Sequence, residues 1–310
     1  MRRDLCDILA CPRDGSPLSL VTETVEEDVR EGLLVCLGSS SHRYPIRDAI
    51  ADFRERESHD ADEFATDEEA EFGTVPTKAV ARKLSKISAE LWLDAGCGRA
   101  AYRPFVSGRY VGVDLVRPFL LDAKDRAPDG DFVAADIRHL PFGDRTFDGV
   151  VASQVIEHLE ISGWEQVLNE FRRVARRSII VDTPNEAPAI SALRHLLYGD
   201  MQHQPGSPLA HYSRITPGIL EHYGFHVEGC IGHVTRRRFR FSAAWDLFDV
   251  VARRFPMIGG NLIGTMELDQ GERSSRPASL TIGWVASTCS LPVPSQAVRA
   301  PERPAHDQSV

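Results

Sequence analysis

No stretch of the 310 residues approaches an uninterrupted apolar run of the roughly 18 residues that a membrane span requires. The opening MRRDLCDILACPRDG has neither an apolar signal core nor a small-residue cleavage site, so membrane insertion and export are not expected and the chain is placed in the cytoplasm. Cysteine is sparse. Its six occurrences (Cys6, Cys11, Cys36, Cys97, Cys230, Cys289) are spread along nearly the whole length, unlike the dense framework of a small secreted scaffold. Lysine is missing from the first 75 residues, where 8 Arg face 19 Asp and Glu; the remainder is nearly balanced, with 28 basic against 26 acidic groups. A net charge of −9 lacks the positive footprint that dominates nucleic-acid affinity. Local arginine clusters, Arg172, Arg173, Arg176, Arg177 and Arg236, Arg237, Arg238, Arg240, keep RNA as a second choice.

Residues 1–54 read as a small module: a short helix, a Cys-Pro turn, strands near Leu18–Thr24 and Gly32–Leu37, then Tyr44-Pro45-Ile46. A unit of this size needs a metal, disulfides or a neighbour for stability. Residues 55–75 hold nine acids and one Arg, the composition of a solvated linker. From residue 76 to 286, short apolar runs alternate with amphipathic stretches, the mark of a doubly wound, mostly parallel α/β sheet. Its expected strands are Leu91–Ala95, Tyr110–Leu115, Asp131–Ala135, Phe147–Ala152, Ser178–Asp182, Phe225–His233 and Leu280–Ala286. Residues 287–310, rich in proline and without apolar periodicity, read as a disordered tail.

The strand Leu91–Ala95 carries Asp94 and runs into Gly96-Cys97-Gly98. Glycines at alternate positions let a ligand approach the backbone, and such a loop normally feeds a helix N-terminus. Asp114 closes the next expected strand about 20 residues on, where an acid can accept hydrogen bonds from ribose hydroxyls. Asp136-Ile137 ends a third strand and Ser153-Gln154 a fourth, so polar groups from consecutive strand ends converge on one crevice.

The D-x-G-x-G loop and the block from Asp136 to His158, including Leu140-Pro141-Phe142, Phe147-Asp148 and Glu157-His158, resemble the type 11 subgroup of class I S-adenosylmethionine-dependent methyltransferases over about residues 78–235. The resemblance implies a seven-stranded Rossmann-like sheet with S-adenosylmethionine as cofactor. It further implies that Asp94, Gly96 and Gly98 serve the methionine end, Asp114 the ribose, and Asp136 with Ile137 the adenine, while Gln154 closes the pocket. Ala100 stands where the subgroup often has glycine, and Pro104 follows, so the first helix is expected to start late or irregularly. Glu157-His158 recurs in that family across unrelated substrates, which implies a structural role.

The acceptor is expected between Thr183 and Phe225. Methyl transfer to oxygen or nitrogen requires an aligned acceptor and removal of its proton, and His211 is the candidate base. Asn185, Tyr198, Tyr212 and Arg214 are candidate acceptor contacts. No compact His/Asp/Glu ligand set stands out beyond the loop histidines His195, His203 and His211.

In the front module, Leu5-x-x-Ile8-Leu9-Ala10-Cys11-Pro12, Leu34-x-Cys36 and Tyr44-Pro45-Ile46-Arg47-Asp48-Ala49-Ile50 resemble the zinc-ribbon-like tRNA methyltransferase activator proteins. Zinc-bearing members use two C-x-x-C pairs; here Asp14 and Ser39 replace the second cysteines. Cys11 and Cys36, with Asp14 and His42, make at most an unusual and weaker site, so the module is expected to be metal-free and to act as a packing or partner surface. The whole reads as a methyltransferase acting on O or N of a small-molecule, sugar or lipid-precursor acceptor. Its rivals are an RNA methyltransferase and a non-catalytic scaffold acting through the module.

Overall fold

In the computed structural model the described residues are 1–23, 25–55, 62, 77–192, 211–230 and 242–268. After a 3-10 turn at Arg3–Asp7, four short strands, β1 (Leu18–Val21), β2 (Gly32–Cys36), β3 (Arg43–Arg47) and β4 (Ile50–Asp52), form an antiparallel meander. There follow α1 (Lys78–Leu84), β5 (Leu91–Ala95), β6 (Arg109–Asp114), α2 (Arg117–Arg126), β7 (Asp131–Ala134), β8 (Phe147–Ser153), α3 (Ile161–Val174) and β9 (Ala175–Pro184). Then come α4 (Pro217–His222), β10 (His226–Cys230), α5 (Ser242–Arg254) and β11 (Asn261–Glu267).

The eleven strands among the described residues belong to one sheet, in the order β1-β2-β3-β4-β7-β6-β5-β8-β9-β11-β10. Strands β7 to β9 pair in parallel and β11 runs antiparallel between β9 and β10. The central strands are buried over all or nearly all of their length, as in β7 and β8, which is why they read as unbroken apolar runs rather than alternating ones. The α/β expectation therefore holds, with seven strands contributed by the part after the module.

The meander joins this sheet through β4, which pairs in parallel with β7 (Ala51 with Val133, Asp52 with Ala134). One hydrophobic cluster runs from Leu5, Leu34, Ile46 and Phe53 into Val113, Val133, Ala152 and Phe171. An ionic pin reinforces the seam: buried Asp131 accepts from Arg2 at 2.7 Å and from Arg109 at 3.0 Å. A module too small to stand alone thus shares a core with its neighbour.

On the same face, α3 buries Trp164, Val167, Leu168, Phe171 and Val174, the i, i+3, i+4, i+7 stripe of an amphipathic helix. The opposite face holds Val80, Leu84, Trp92, Tyr110, Leu120 and Phe132.

Six expected strands lie where the sequence placed them, within a few residues at each end, although β9 begins three residues early; β10 is described as far as Cys230, and residues 231–233 lie outside the described residues. The seventh strand of this sheet is Asn261–Glu267, a segment the pattern did not mark; Leu280–Ala286 and the expected tail lie outside the described residues. The segment after the glycine loop is irregular, as expected from Ala100 and Pro104. No α-helix follows the loop directly: the chain makes turns and a 3-10 segment at Arg103–Phe105. Ala100 at φ 58° and Pro104 account for this, the first by leaving helical backbone and the second by removing a donor.

Candidate active site

The strand order reverses between β5 and β8, because the chain runs outward through β6 and β7 before returning to β8. Crevices at such points, beyond the carboxyl ends of the strands, are where open α/β sheets take ligands. Gly96 and Gly98 follow β5 with φ of 76° and 49°, a region that glycine enters without steric cost. Gly96 has a second requirement, since a Cβ there would sit 2.3 Å from Val155 Cγ2. The segment after β8 therefore rests directly on the glycine loop.

Asp114 fixes that loop. Its Oδ2 accepts the Gly98 N–H at 2.8 Å and its Oδ1 the Val116 N–H at 2.9 Å. Each oxygen keeps a further lone pair, the capacity a ribose diol would use. Asp94 is only 1% exposed, and Tyr110 donates to its Oδ2 at 2.6 Å. Burial, reinforced by the charge of Asp114 and countered by the Tyr110 hydroxyl, pushes Asp94 up to about 7. It lies sealed beneath the loop.

Ile137 is buried beside the half-buried Asp136, whose two oxygens are held by Arg138 through its backbone N–H at 2.8 Å and its guanidinium. Gln154, at φ 57°, is exposed and turns its amide onto Asp182 Oδ2 at 3.1 Å. The same carboxylate oxygen receives Thr77 Oγ1 at 2.7 Å and Ser153 Oγ at 2.8 Å, while Asn261 reaches Oδ1 at 3.3 Å. Tyr102 bonds Ser153 at 2.8 Å and accepts the Thr77 N–H. Asp182 thus gathers residues from four parts of the chain at the ends of β8 and β9. Sequence reasoning missed this hub; its one local signal was an acid ending a strand.

Among the expected acceptor contacts, Tyr198 lies outside the described residues, as do His195 and His203. Asn185 requires correction. It is fully buried, and its amide donates to the carbonyls of Gly259 at 2.8 Å and Pro256 at 3.2 Å, tying the end of β9 to the entry of β11 and leaving no acceptor role. Tyr212 and Arg214 are exposed.

His211 stands 3.5 Å from Glu186 through Nδ1, and its ring meets that of His158 edge to face with centroids 5.3 Å apart. The backbone N–H groups of Tyr212 and Ser213 bond the Glu157 carbonyl, which brings this segment over the turn Ile156–His158. Ligand atoms of Glu157, His158 and His211 lie within 4.8 Å of one another. A compact His/Glu set is therefore present where the sequence showed none, because 54 residues separate its members. Glu157 is 1% exposed and its carboxyl is pushed up to about 8, chiefly by burial.

In the module, Cys11, Asp14, Cys36 and His42 likewise bring ligand atoms within 4.8 Å of one another. Cys11 Sγ is 3.3 Å from His42 Nδ1, and Cys36 Sγ lies 3.5 Å from both Asp14 oxygens. Two thiols, an imidazole and a carboxylate are four donors of the types structural zinc takes. The substitutions at the second cysteine positions leave this donor set complete in number.

Comparison with known proteins agrees with this geometry. Residues 93–180 match the family model described as methyltransferase domain, and residues 2–48 the one described as Trm112p-like protein. The first match spans the glycine loop, Asp114 and the block from Asp136 to His158, and the second covers most of the module at the sheet edge. A protein of Encephalitozoon cuniculi carrying a methyltransferase name is 39% identical over 85 residues, 27% of this chain and 39% of that protein. Proteins named probable S-adenosylmethionine-dependent methyltransferases are 35% identical over 100 residues in Mycobacterium tuberculosis (30% of this chain, 35% of that one) and 30% identical over 151 in Mycolicibacterium smegmatis (45% and 53%). The chain thus spans from about a third to about half the length of these relatives. Among the described residues no helix is long and apolar enough to cross a membrane.

Proposed function

We propose that this protein transfers a methyl group from S-adenosylmethionine to an oxygen or nitrogen of a small-molecule, sugar or lipid-precursor acceptor. The observation that carries the reading is the convergence of the Gly96–Gly98 loop, Asp114, Ile137 and the Ser153–Gln154 strand end at the point where the sheet order reverses. When bound, S-adenosylmethionine supplies a methyl group made electrophilic by its sulfonium. The chain's own residues do the rest: Asp114 binds the ribose hydroxyls, Ile137 offers adenine an apolar face, and Asp94, buried at the base of the glycine loop, supports the turn that receives the methionine end. Val155 and the turn after it bring the His158–His211 pair to the same crevice, and the acceptor's proton is handled there.

The preference for a small acceptor over RNA rests on where the arginines are spent. Arg2, Arg99, Arg109, Arg117, Arg138 and Arg173 are each paired with an acid. Arg172 donates to the Tyr223 carbonyl and Arg176 to that of Arg145. Arg236, Arg237, Arg238 and Arg240 lie outside the described residues. A phosphate backbone needs several uncommitted cations along one face, and the paired arginines offer few.

The module acts in cis, because its β4 edge is already paired with β7. Its four donors fit zinc, with Cys11, Asp14, Cys36 and His42 as the ligands.

Calorimetric titration with S-adenosylmethionine and S-adenosylhomocysteine tests the donor site; micromolar binding, about −8 kcal/mol at 1 μM, should collapse in Asp114→Ala. Transfer of labelled methyl to a small-molecule extract but not to total RNA is the expected acceptor result. Label entering RNA alone would overturn the acceptor class, and folded protein that binds neither ligand would make it a scaffold.

A further inference from the structure

Glu157 begins the argument, because nothing in the donor site uses it. Thr183 Oγ1 donates to its Oε2 at 3.2 Å, but its buried Oε1 has no hydrogen-bond partner. A buried carboxylate oxygen without a partner is costly, and a packing or capping role would have satisfied it. The atoms around it are ligands: His158 is the next residue, and His211 is delivered by a segment whose backbone is bonded to the Glu157 carbonyl. Glu186 stands on Nδ1 of His211 at 3.5 Å, as a carboxylate does behind a metal-binding imidazole, fixing the ring so that Nε2 is presented.

We propose that Glu157, His158 and His211 bind a divalent transition-metal ion, and that the methyl acceptor is a compound with two adjacent oxygens, a vicinal diol or hydroxy acid, which chelates that ion. Two imidazoles and one carboxylate make a nitrogen- and oxygen-donor set suited to such ions, and three protein ligands leave coordination positions open. The place is right for chemistry. Val155, two residues before Glu157, is the side chain packed on Gly96, so the ion would lie beside the cofactor loop. The second half of the proposal rests on the methyltransferase reading. An ion-bound hydroxyl loses its proton to bulk water near neutral pH; the oxygen lone pair then forms the new bond to the methyl carbon, and the carbon–sulfur electron pair returns to sulfur. His211 then acts as a ligand of the ion and not as the base that takes the proton.

Cobalt(II) is the probe, because thiolate ligation at Cys11 and Cys36 gives a near-ultraviolet sulfur band that a nitrogen- and oxygen-donor site lacks. The full chain is stripped with chelator and titrated with cobalt(II), alongside His158→Ala and the half-exposed His211→Ala, with circular dichroism as the folding control. The expected result is a visible spectrum of nitrogen and oxygen ligation at one ion per chain. Its affinity should fall at least tenfold in both variants while any sulfur band is unchanged, and added catechol should shift the visible bands. Absence of that component in folded wild-type protein, or its persistence in both folded variants, would overturn the site; bands indifferent to catechol would overturn the chelated acceptor. S-adenosylhomocysteine titration of the same samples keeps the two readings apart: cobalt without nucleoside binding removes the donor site and leaves the metal site standing, and nucleoside without cobalt does the reverse.

Discussion

Replacing Asp94 by asparagine should make the difference in stability between variant and wild type change with pH in a direction opposite to the usual carboxylate. Most paired carboxylates have lowered pKa values and stabilise a fold as pH rises. Asp94 is buried among Tyr110, Cys97 and Asp114 and is pushed up to about 7. Between its ordinary value of 3.8 and about 7, the folded state holds a proton that the unfolded state has released. Its contribution is therefore complete below about pH 4 and is lost as pH climbs through 7. A shift of about three units corresponds to about 4 kcal/mol in total, of which roughly 3 kcal/mol falls between pH 5 and 8.5. Asparagine carries no such dependence. It keeps an acceptor for the Tyr110 hydroxyl but introduces an amide donor with no evident partner, costing about 1–2 kcal/mol. Asp94→Asn should therefore be less stable than wild type at pH 5 and at least as stable at pH 8.5. At 2–4 °C per kcal/mol, the difference in Tm should swing by roughly 6–11 °C over that range, read by thermal unfolding of ligand-free protein in matched buffers. Parallel curves would refute the reasoning and show that Asp94 is held as a charged group.

Four further outcomes follow from the geometry. Ala100→Gly should raise stability by roughly 0.5–1 kcal/mol, because alanine at φ 58° bears a left-handed penalty that glycine escapes; a loss of Tm would count against it. Gly96→Ala should abolish S-adenosylhomocysteine binding in calorimetry, since its Cβ would meet Val155 at 2.3 Å. Arg109→Ala removes one of two partners of buried Asp131 and should cost about 1–3 kcal/mol in urea unfolding, with little effect on ligand affinity. Metal analysis of purified protein should find zinc, with about one ion per chain fewer in Cys36→Ser together with several degrees of Tm lost.

What could be read from the sequence was whatever lay close along it. The glycine loop, Asp114 and the block ending in Glu157-His158 are local signatures, and Ala100 with Pro104 foretold the irregular segment after the loop. β4 spans three residues and gains its meaning only from pairing with β7, some 80 positions later. β11 contains Gly264, which fits against Val181 and Phe225, and glycine weakened its strand signal. The Asp182 hub draws on Thr77, Ser153 and Asn261, and His211 meets Glu157 across 54 residues; in each case identical residue types could equally have faced solvent. Asn185 misled for the converse reason, since a polar residue after a strand suggests a ligand contact until its amide is found bonded to backbone.

The parallel pairing of β4 with β7 has a consequence for how the molecule is made and kept. An exposed strand edge invites association with other chains, and β7 would be such an edge without the meander. Were the meander a separate polypeptide, protecting that edge would depend on expression levels and on a chance encounter. Carried in the same chain, it is present at an effective concentration in the millimolar range and in fixed one-to-one ratio. It is also synthesised first, so the cover exists before the edge it protects has left the ribosome.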